Sequence, residues 1–377
     1  MWLFFFLVSF LALFAESSAL YLSWFDDPTT TITIQWHTEA QEIDDTVRLK
    51  VQDGWESFEG SHIFLEQVLV HTIAFENLTP NTEYSFTIGV DPKIYSFQTA
   101  PATLEEPLRF IVGGDVYFST KLFRRMSQTV LENNPHFIVL GGDLAYALNV
   151  HPFRVSPLRR WLSFLKEWKE HMIHPDGKVI PFLLLPGNHD ITPNNYNLFF
   201  NLFAFPEKQL YRAIDFGSYL SLILLDTGHF QPIEGEQTRW LDEALSTRTD
   251  TPYRFAVYHE AAYPSHYDYR GVTPTKIRTH WSPLFEKYNL LAAFEHHNHA
   301  FKRTYPIKAD QKDLSGVVYI GDGCWGAFAR KTHDQWYLEK RGRKNNVVLV
   351  ELNATQATVK SLDLLNHPLD EITFSPR

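Results

Sequence analysis

The stretch HFIVLGGDLAYA, residues 136–147, begins as a short unbroken apolar run and stops at Gly141, Gly142 and Asp143. LRFIVGGD (108–115) does the same earlier in the chain, and IPFLLLPGNHD (180–190), RFAVYHE (254–260) and LLAAFEHHNH (290–299) do so later. YLSLILLDT (219–227) and GVVYIGDG (316–323) are further runs of this kind. Strands without alternation are buried on both faces, as in sheets covered by helices. The cover is also legible. In PLRRWLSFLKEWKEHM (157–172), Leu158, Trp161, Leu162, Leu165, Trp168 and Met172 recur at helical spacing. An α/β domain is predicted from about residue 108 onward, closing on NVVLVELN (346–353) and ATVKSLDLL (357–365) as a terminal hairpin.

The texture before it is different. LYLSWFDDPTTTITIQWHTEA (20–40) gives two alternating runs around the turn DDPTT, and TVRLKV, IAFENLTPNTEYSFTIGV and IYSFQTAP continue the pattern. Turns at that spacing predict an all-β sandwich over 20–101. ATLEEP (102–107) reads as a linker into a second domain over 108–377. Ahead of the sandwich, residues 1–19 combine an apolar run too short for a membrane span with small residues Ser17 and Ala19 at a cleavage-like spacing. This predicts an export signal and a secreted or periplasmic protein with no membrane span once it is removed. An uncleaved anchor is the alternative, because no Lys or Arg precedes the apolar core.

Composition narrows the partners. Aromatics are 15% of the chain, with 30 Phe, 17 Tyr and 10 Trp, which marks a packed globular protein. A net charge of −10 argues against nucleic acid, whose phosphates need a basic face. The single cysteine, Cys324, cannot form an intramolecular disulfide and is predicted to be buried.

The chemistry is expected where the apolar runs end. Asp115, Asp143, Asn188, His259, and His297 with His299 all follow such runs. In open α/β sheets the loops after the strands' carboxyl ends converge on one crevice, so the fold has a reason to gather them. Carboxylates bind and bridge hard cations, imidazoles bind borderline ones, and an amide oxygen completes a shell without adding charge. Two metals roughly 3.5–4 Å apart can clamp a phosphoryl group for in-line attack. Asp143 is the natural bridge, with Tyr146 three residues on.

In order along the chain, LRFIVGGD, GGDLAYA, PGNHD, VYHE and HNHAFKR resemble the motif series of the purple acid phosphatases, within the metallophosphoesterase superfamily. LSWFDDPTTTITIQWHT through YSFQTAP resembles the fibronectin type III-like domain that precedes the catalytic domain in larger members. The resemblance implies a β-sandwich followed by a metallophosphoesterase domain of two mixed sheets flanked by helices. It implies an Fe(III) site at Asp115, Asp143, Tyr146 and His299. A divalent metal (Zn, Fe or Mn) would share Asp143 and take Asn188, His259 and His297. His189 matches the substrate-contacting histidine, and His266 is the candidate for protonating the leaving group. The implied activity is hydrolysis of a small phosphorylated substrate, a phosphomonoester, by metal-activated hydroxide. A phosphodiesterase of the same superfamily and an inert extracellular binding protein are the alternatives. Three positions depart from the family's pattern. Tyr117 and His296 stand where glycines are usual, with Tyr117 expected to crowd the iron site or narrow the substrate mouth and His296 to point away from the metals. Glu260 follows His259, where an acid is not typical and would disfavour anions. Alternation along an extended segment is expected to turn His297 and His299 to one face.

Overall fold

The computed structural model describes residues 17–39, 43–51, 54–148, 155–192, 196–321 and 323–377. Most of the expected export signal, residues 1–16, lies outside the described residues, as does Asp322. Eight strands come first: β1 (Ala19–Ser23), β2 (Ile32–Glu39), β3 (Thr46–Val51), β4 (Gly54–Glu59), β5 (Ser61–Leu65), β6 (Val68–Phe75), β7 (Glu83–Ile88) and β8 (Tyr95–Gln98). They pair into two sheets, β1-β2-β6-β5 and β4-β3-β7-β8, which form the expected sandwich. The segment of β4 and β5 carried no strand signal in the sequence, because these strands bury almost nothing and show no apolar face. β1 differs from expectation in the other direction. It is buried at every residue instead of at alternate ones, because its outer face is covered as well. Tyr21 stacks on Phe182, ring centroids 5.8 Å apart, and its hydroxyl donates to the carbonyl of Leu202.

Strands and helices then alternate through β9 (Leu108–Gly113), α1 (Thr120–Glu132), β10 (Phe137–Gly141), α2 (Pro157–Met172), β11 (Phe182–Leu185) and α3 (Asn197–Phe203). β12 (Arg212–Phe216), β13 (Leu220–Leu224), α4 (Glu236–Ser246), β14 (Tyr253–Glu260), α5 (Val272–His280), α6 (Ser282–Lys287) and β15 (Ala292–His296) follow. The remainder is strand: β16 (Phe301–Thr304), β17 (Ile307–Lys308), β18 (Gln311–Lys312), β19 (Val318–Gly321), β20 (Leu338–Gly342), β21 (Val347–Leu352), β22 (Ala357–Leu362) and β23 (Pro368–Phe374). One sheet runs β11-β10-β9-β21-β22-β23 and the other β12-β13-β14-β15-β19-β16-β20. Each holds a parallel run, β11-β10-β9 at one edge of the first and β13-β14-β15-β19 in the middle of the second, continued by antiparallel strands. Both sheets are therefore mixed. The predicted hairpin is β21 and β22, and β23 extends it into a meander.

The sheets face each other across an aromatic seam in which Phe110 stacks on Phe137 at 4.8 Å and Phe137 on Phe216 at 4.5 Å. Helices cover the outer faces. Ser119 caps α1 by accepting from Leu122 N, and Ser156 caps α2 by accepting from Arg159 N, with Pro157 in the first turn. Leu158, Trp161, Phe164, Leu165, Trp168 and Met172 of α2 are buried, whereas Leu162 is only partly covered. Among the described residues, no helix is long and apolar enough to cross a membrane. Cys324 is buried, as expected, with its thiol 3.5 Å from Ala327 O.

Candidate metal centre

β9, β10 and β11 of one sheet and β14 and β15 of the other bring their carboxyl ends together. The loop backbones are zipped: Asp115 N donates to Gly142 O at 2.9 Å, and Val116 N to Asp143 O at 2.8 Å. Asp115, Asp143, Tyr146, His297 and His299 all have φ between 52° and 74°. Non-glycine residues seldom adopt this left-handed region, and clusters of them mark places where the fold holds side chains in a required direction. The convergence of His297 and His299 thus has a different cause from the one expected. β15 ends at His296, and a left-handed turn, not strand alternation, presents the two imidazoles.

Two groups of donors result. Asp143, His259 and His297 form one, and Asp115, Asp143 and His299 the other, with the ligating atoms of each group within 4.8 Å of one another. Asp143 belongs to both. Its Oδ1 accepts from His189 N at 2.8 Å and lies 3.5 Å from His259 Nε2. Its Oδ2 is buried without a hydrogen-bond partner among the described residues. Asp115 Oδ1 lies 2.8 Å from His299 Nε2 and accepts from the Tyr146 hydroxyl at 3.0 Å. Asn188 Oδ1 is 3.1 Å from His259 Nε2, whose Nδ1 is held by Gly141 O at 2.9 Å. All seven expected metal-site residues are thus gathered. Gly187 is required beside them, because a Cβ there would come within 2.2 Å of Asp143 Oδ1.

The electrostatics follow from burying carboxylates against imidazoles. Burial pushes the Asp115 and Asp143 carboxyls up, but His299 and His259 respectively outweigh it and hold both below the ordinary value. Burial lowers His259, yet the charge of Asp143 prevails and lifts this imidazole to about 10. His297 is held near 3, first by burial and then by His259. Burial among these imidazoles thus favours the carboxylate form of both aspartates.

Other expectations meet the structure unevenly. His189 stacks on Tyr146, centroids 5.1 Å apart, with its Nδ1 held by Leu148 O at 3.1 Å. Its Nε2 lies 4.0 Å from Asp143 Oδ2. The ring of His266 turns elsewhere, with Nδ1 at 2.8 Å from Lys331 O and its face against His333. Tyr267 is the residue stacked on His297, at 4.8 Å. Tyr117 packs between Phe123 and Phe164 under the Arg160 guanidinium, so its bulk is absorbed by α1 and α2. The expected crowding of the group Asp115, Tyr146 and His299 does not occur, and Phe118 is the ring that covers Tyr146. His296 is buried against Gly114 and Gly141, and neither ring nitrogen has a partner among the described residues.

Two contributors were given no role by the sequence, where Asp190 is only the acid that closes PGNHD. Asp190 is buried and accepts from Leu144 N, Ala145 N and Gly187 N, fastening the Asp143 loop to the Asn188 loop. His229 lies 5.6 Å from the ring of His259. It follows the apolar run YLSLILLDT, so the rule that singled out the other strand ends would have found it.

Comparison with known proteins agrees with this geometry. The profile of the purple acid phosphatase N-terminal domain matches residues 18–99, and that of the calcineurin-like phosphoesterases matches residues 108–319. Purple acid phosphatase 23 of Arabidopsis thaliana is 26% identical over 294 residues, 68% of this chain and 62% of the relative. Probable purple acid phosphatase 20 of the same plant is 25% identical over 277 residues, 67% of this chain and 60% of the relative. The chain thus spans about 60% of the length of these relatives. In fold it is similar to a purple acid phosphatase from yellow lupin (Lupinus luteus) seeds, with a TM-score of 0.77 at 15% identity, covering 94% of this chain and 74% of the other. Both domains match in order and the donor set lies at the converging strand ends; the chain belongs to the purple acid phosphatase family, within the calcineurin-like phosphoesterases.

Proposed function

We propose that the protein is an exported phosphatase that hydrolyses small phosphomonoesters at a two-metal centre. The observation that carries this reading is Asp143 Oδ2, buried and, among the described residues, unpartnered, on the carboxylate that the two donor groups share. A buried carboxylate oxygen is costly unless a donor or a cation meets it. Asp115, Tyr146 and His299 with Asp143 suit Fe(III), because only a strongly charged cation would take a phenol that burial and two carboxylates push up. Asn188, His259 and His297 with Asp143 suit a divalent Zn, Fe or Mn. Bound metals would supply a nucleophilic oxygen at neutral pH and offset charge on the phosphoryl group.

The protein's own groups orient and protonate. Gly141 O fixes the His259 ring so that Nε2 faces Asp143 and Asn188. His189 is one-third exposed and braced by Tyr146 and Leu148, which suits it to hold a substrate oxygen and pass a proton to the leaving group. We give it that role in preference to His266, whose Nδ1 is engaged by Lys331 O. The division into sandwich (20–101), linker (102–107) and catalytic domain (108–377), and export through residues 1–19, complete the reading.

A cavity of about 250 Å³ bordered by His297, Glu260, Tyr267 and Pro274 favours a second reading, a phosphodiesterase whose second ester group lies there. Rates on a monoester and a diester of one phenol separate the two. Iron with a visible absorption band that disappears in Tyr146→Phe is expected. A colourless protein with two divalent metals would overturn the Fe(III) assignment.

A further inference from the structure

We propose that Asp45, His62 and His71 form a separate metal site in the N-terminal sandwich, suited to a borderline divalent cation such as Zn(II), which ties the two sheets together. His62 on β5 and His71 on β6 are cross-strand partners, so both imidazoles leave the same face of one sheet. Asp45 directly precedes β3, in the other sheet. Its Oδ2 lies 2.7 Å from His62 Nδ1 and its Oδ1 lies 2.6 Å from His71 Nδ1. One potential ligand atom from each residue falls within 4.8 Å of the others. These separations resemble the 2.8 Å between His299 and Asp115 in the catalytic cluster.

The surroundings favour a cation over a plain hydrogen-bonded triad. His71 is fully buried and lies flat on Trp36, centroids 4.8 Å apart and planes 7° apart, so its ring cannot swing. Its Nε2 is 2.7 Å from Thr38 Oγ1, an outer contact of the kind that orients metal-bound imidazoles. Binding needs no net proton loss. The Nδ1 proton of each neutral imidazole moves to Nε2, and the Thr38 hydroxyl turns from donor to acceptor. Among the described residues no lysine or arginine pairs with Asp45, so its charge is answered by these imidazoles alone. The group Glu167, Glu170 and His171 on α2 provides the contrast, since there Arg124 already holds Glu167 in a bidentate pair. His62 is partly exposed, which gives a cation an entry and leaves a position for water. The site also lies at a corner. The chain crosses between sheets at Gly60, whose N–H donates to Asp45 O at 2.9 Å.

The test uses the full chain equilibrated with zinc and freed of excess. Wild type is expected to hold about one more zinc per chain than His62→Ala and than Asp45→Asn. Its melting temperature should rise with zinc more steeply than theirs, at an unchanged phosphoester hydrolysis rate. His62 is at the surface, so its removal leaves folding intact. Equal zinc content and equal zinc response in all three proteins would overturn the proposal and leave a hydrogen-bonded triad only.

Discussion

His296 occupies the space that a side chain at residue 141 would need: a Cβ on Gly141 would lie 1.9 Å from its Nε2. The bulky residue in the last motif and the extra glycine before Asp143 are therefore one adjustment. Gly141→Ala is expected to destabilise the protein by about 1–3 kcal/mol through overpacking. The substitution should also slow hydrolysis by displacing the Asp143 loop. In the double variant Gly141→Ala, His296→Gly the stability loss should shrink. A denaturant-based double-mutant cycle reads the coupling, and strict additivity would show that the two positions are independent.

Asp143 is shared by both donor groups, whereas His297 serves one. Asp143→Asn is expected to abolish binding of both metals, and His297→Ala to remove mainly the divalent one. Changes to outer partners of a metal site cost about 10–100-fold, so removing a ligand should cost more than about a hundredfold in rate. Metal analysis with phosphatase assays checks both, and near-normal rates would refute the assignment.

The fold and the donors were legible because they rest on short-range signals. Unbroken apolar strands specify buried sheets, and a polar residue just beyond each strand is positioned by the topology whatever the rest of the chain does. What escaped depends on contacts across long sequence separations. β4 and β5 bury almost nothing, so no pattern marks them. β1 has lost its alternation to the neighbouring domain, and Tyr117 finds its place only once α1 and α2 are packed. The direction in which His297 and His299 point is set by left-handed backbone, which residue types alone do not reveal.

Asp190 joins the Asp143 and Asn188 loops through buried backbone N–H groups. Asp190→Ala leaves these donors unsatisfied, at about 1–3 kcal/mol each before relaxation. A loss of at least ~2 kcal/mol in chemical denaturation is expected, together with weaker metal retention. Asp190→Asn keeps one acceptor oxygen and should fall between wild type and the alanine variant. Full metal retention in Asp190→Ala would show that the loops hold their positions without the clamp.

Glu260 is half-buried at the end of β14, bordering the cavity next to His297. Its carboxylate is poorly suited to a phosphate dianion approaching the metals, and its charge is incompletely screened in a recess. Glu260→Gln keeps the shape and removes the charge. KM for a simple aryl phosphate is expected to fall roughly three- to tenfold with kcat little changed, because the repulsion acts alike on bound substrate and transition state. A substrate whose leaving group carries an ammonium should respond in the opposite direction, since the wild-type carboxylate attracts it. If KM for both substrates is unmoved, Glu260 lies outside the substrate's field and the recess is not where the leaving group sits.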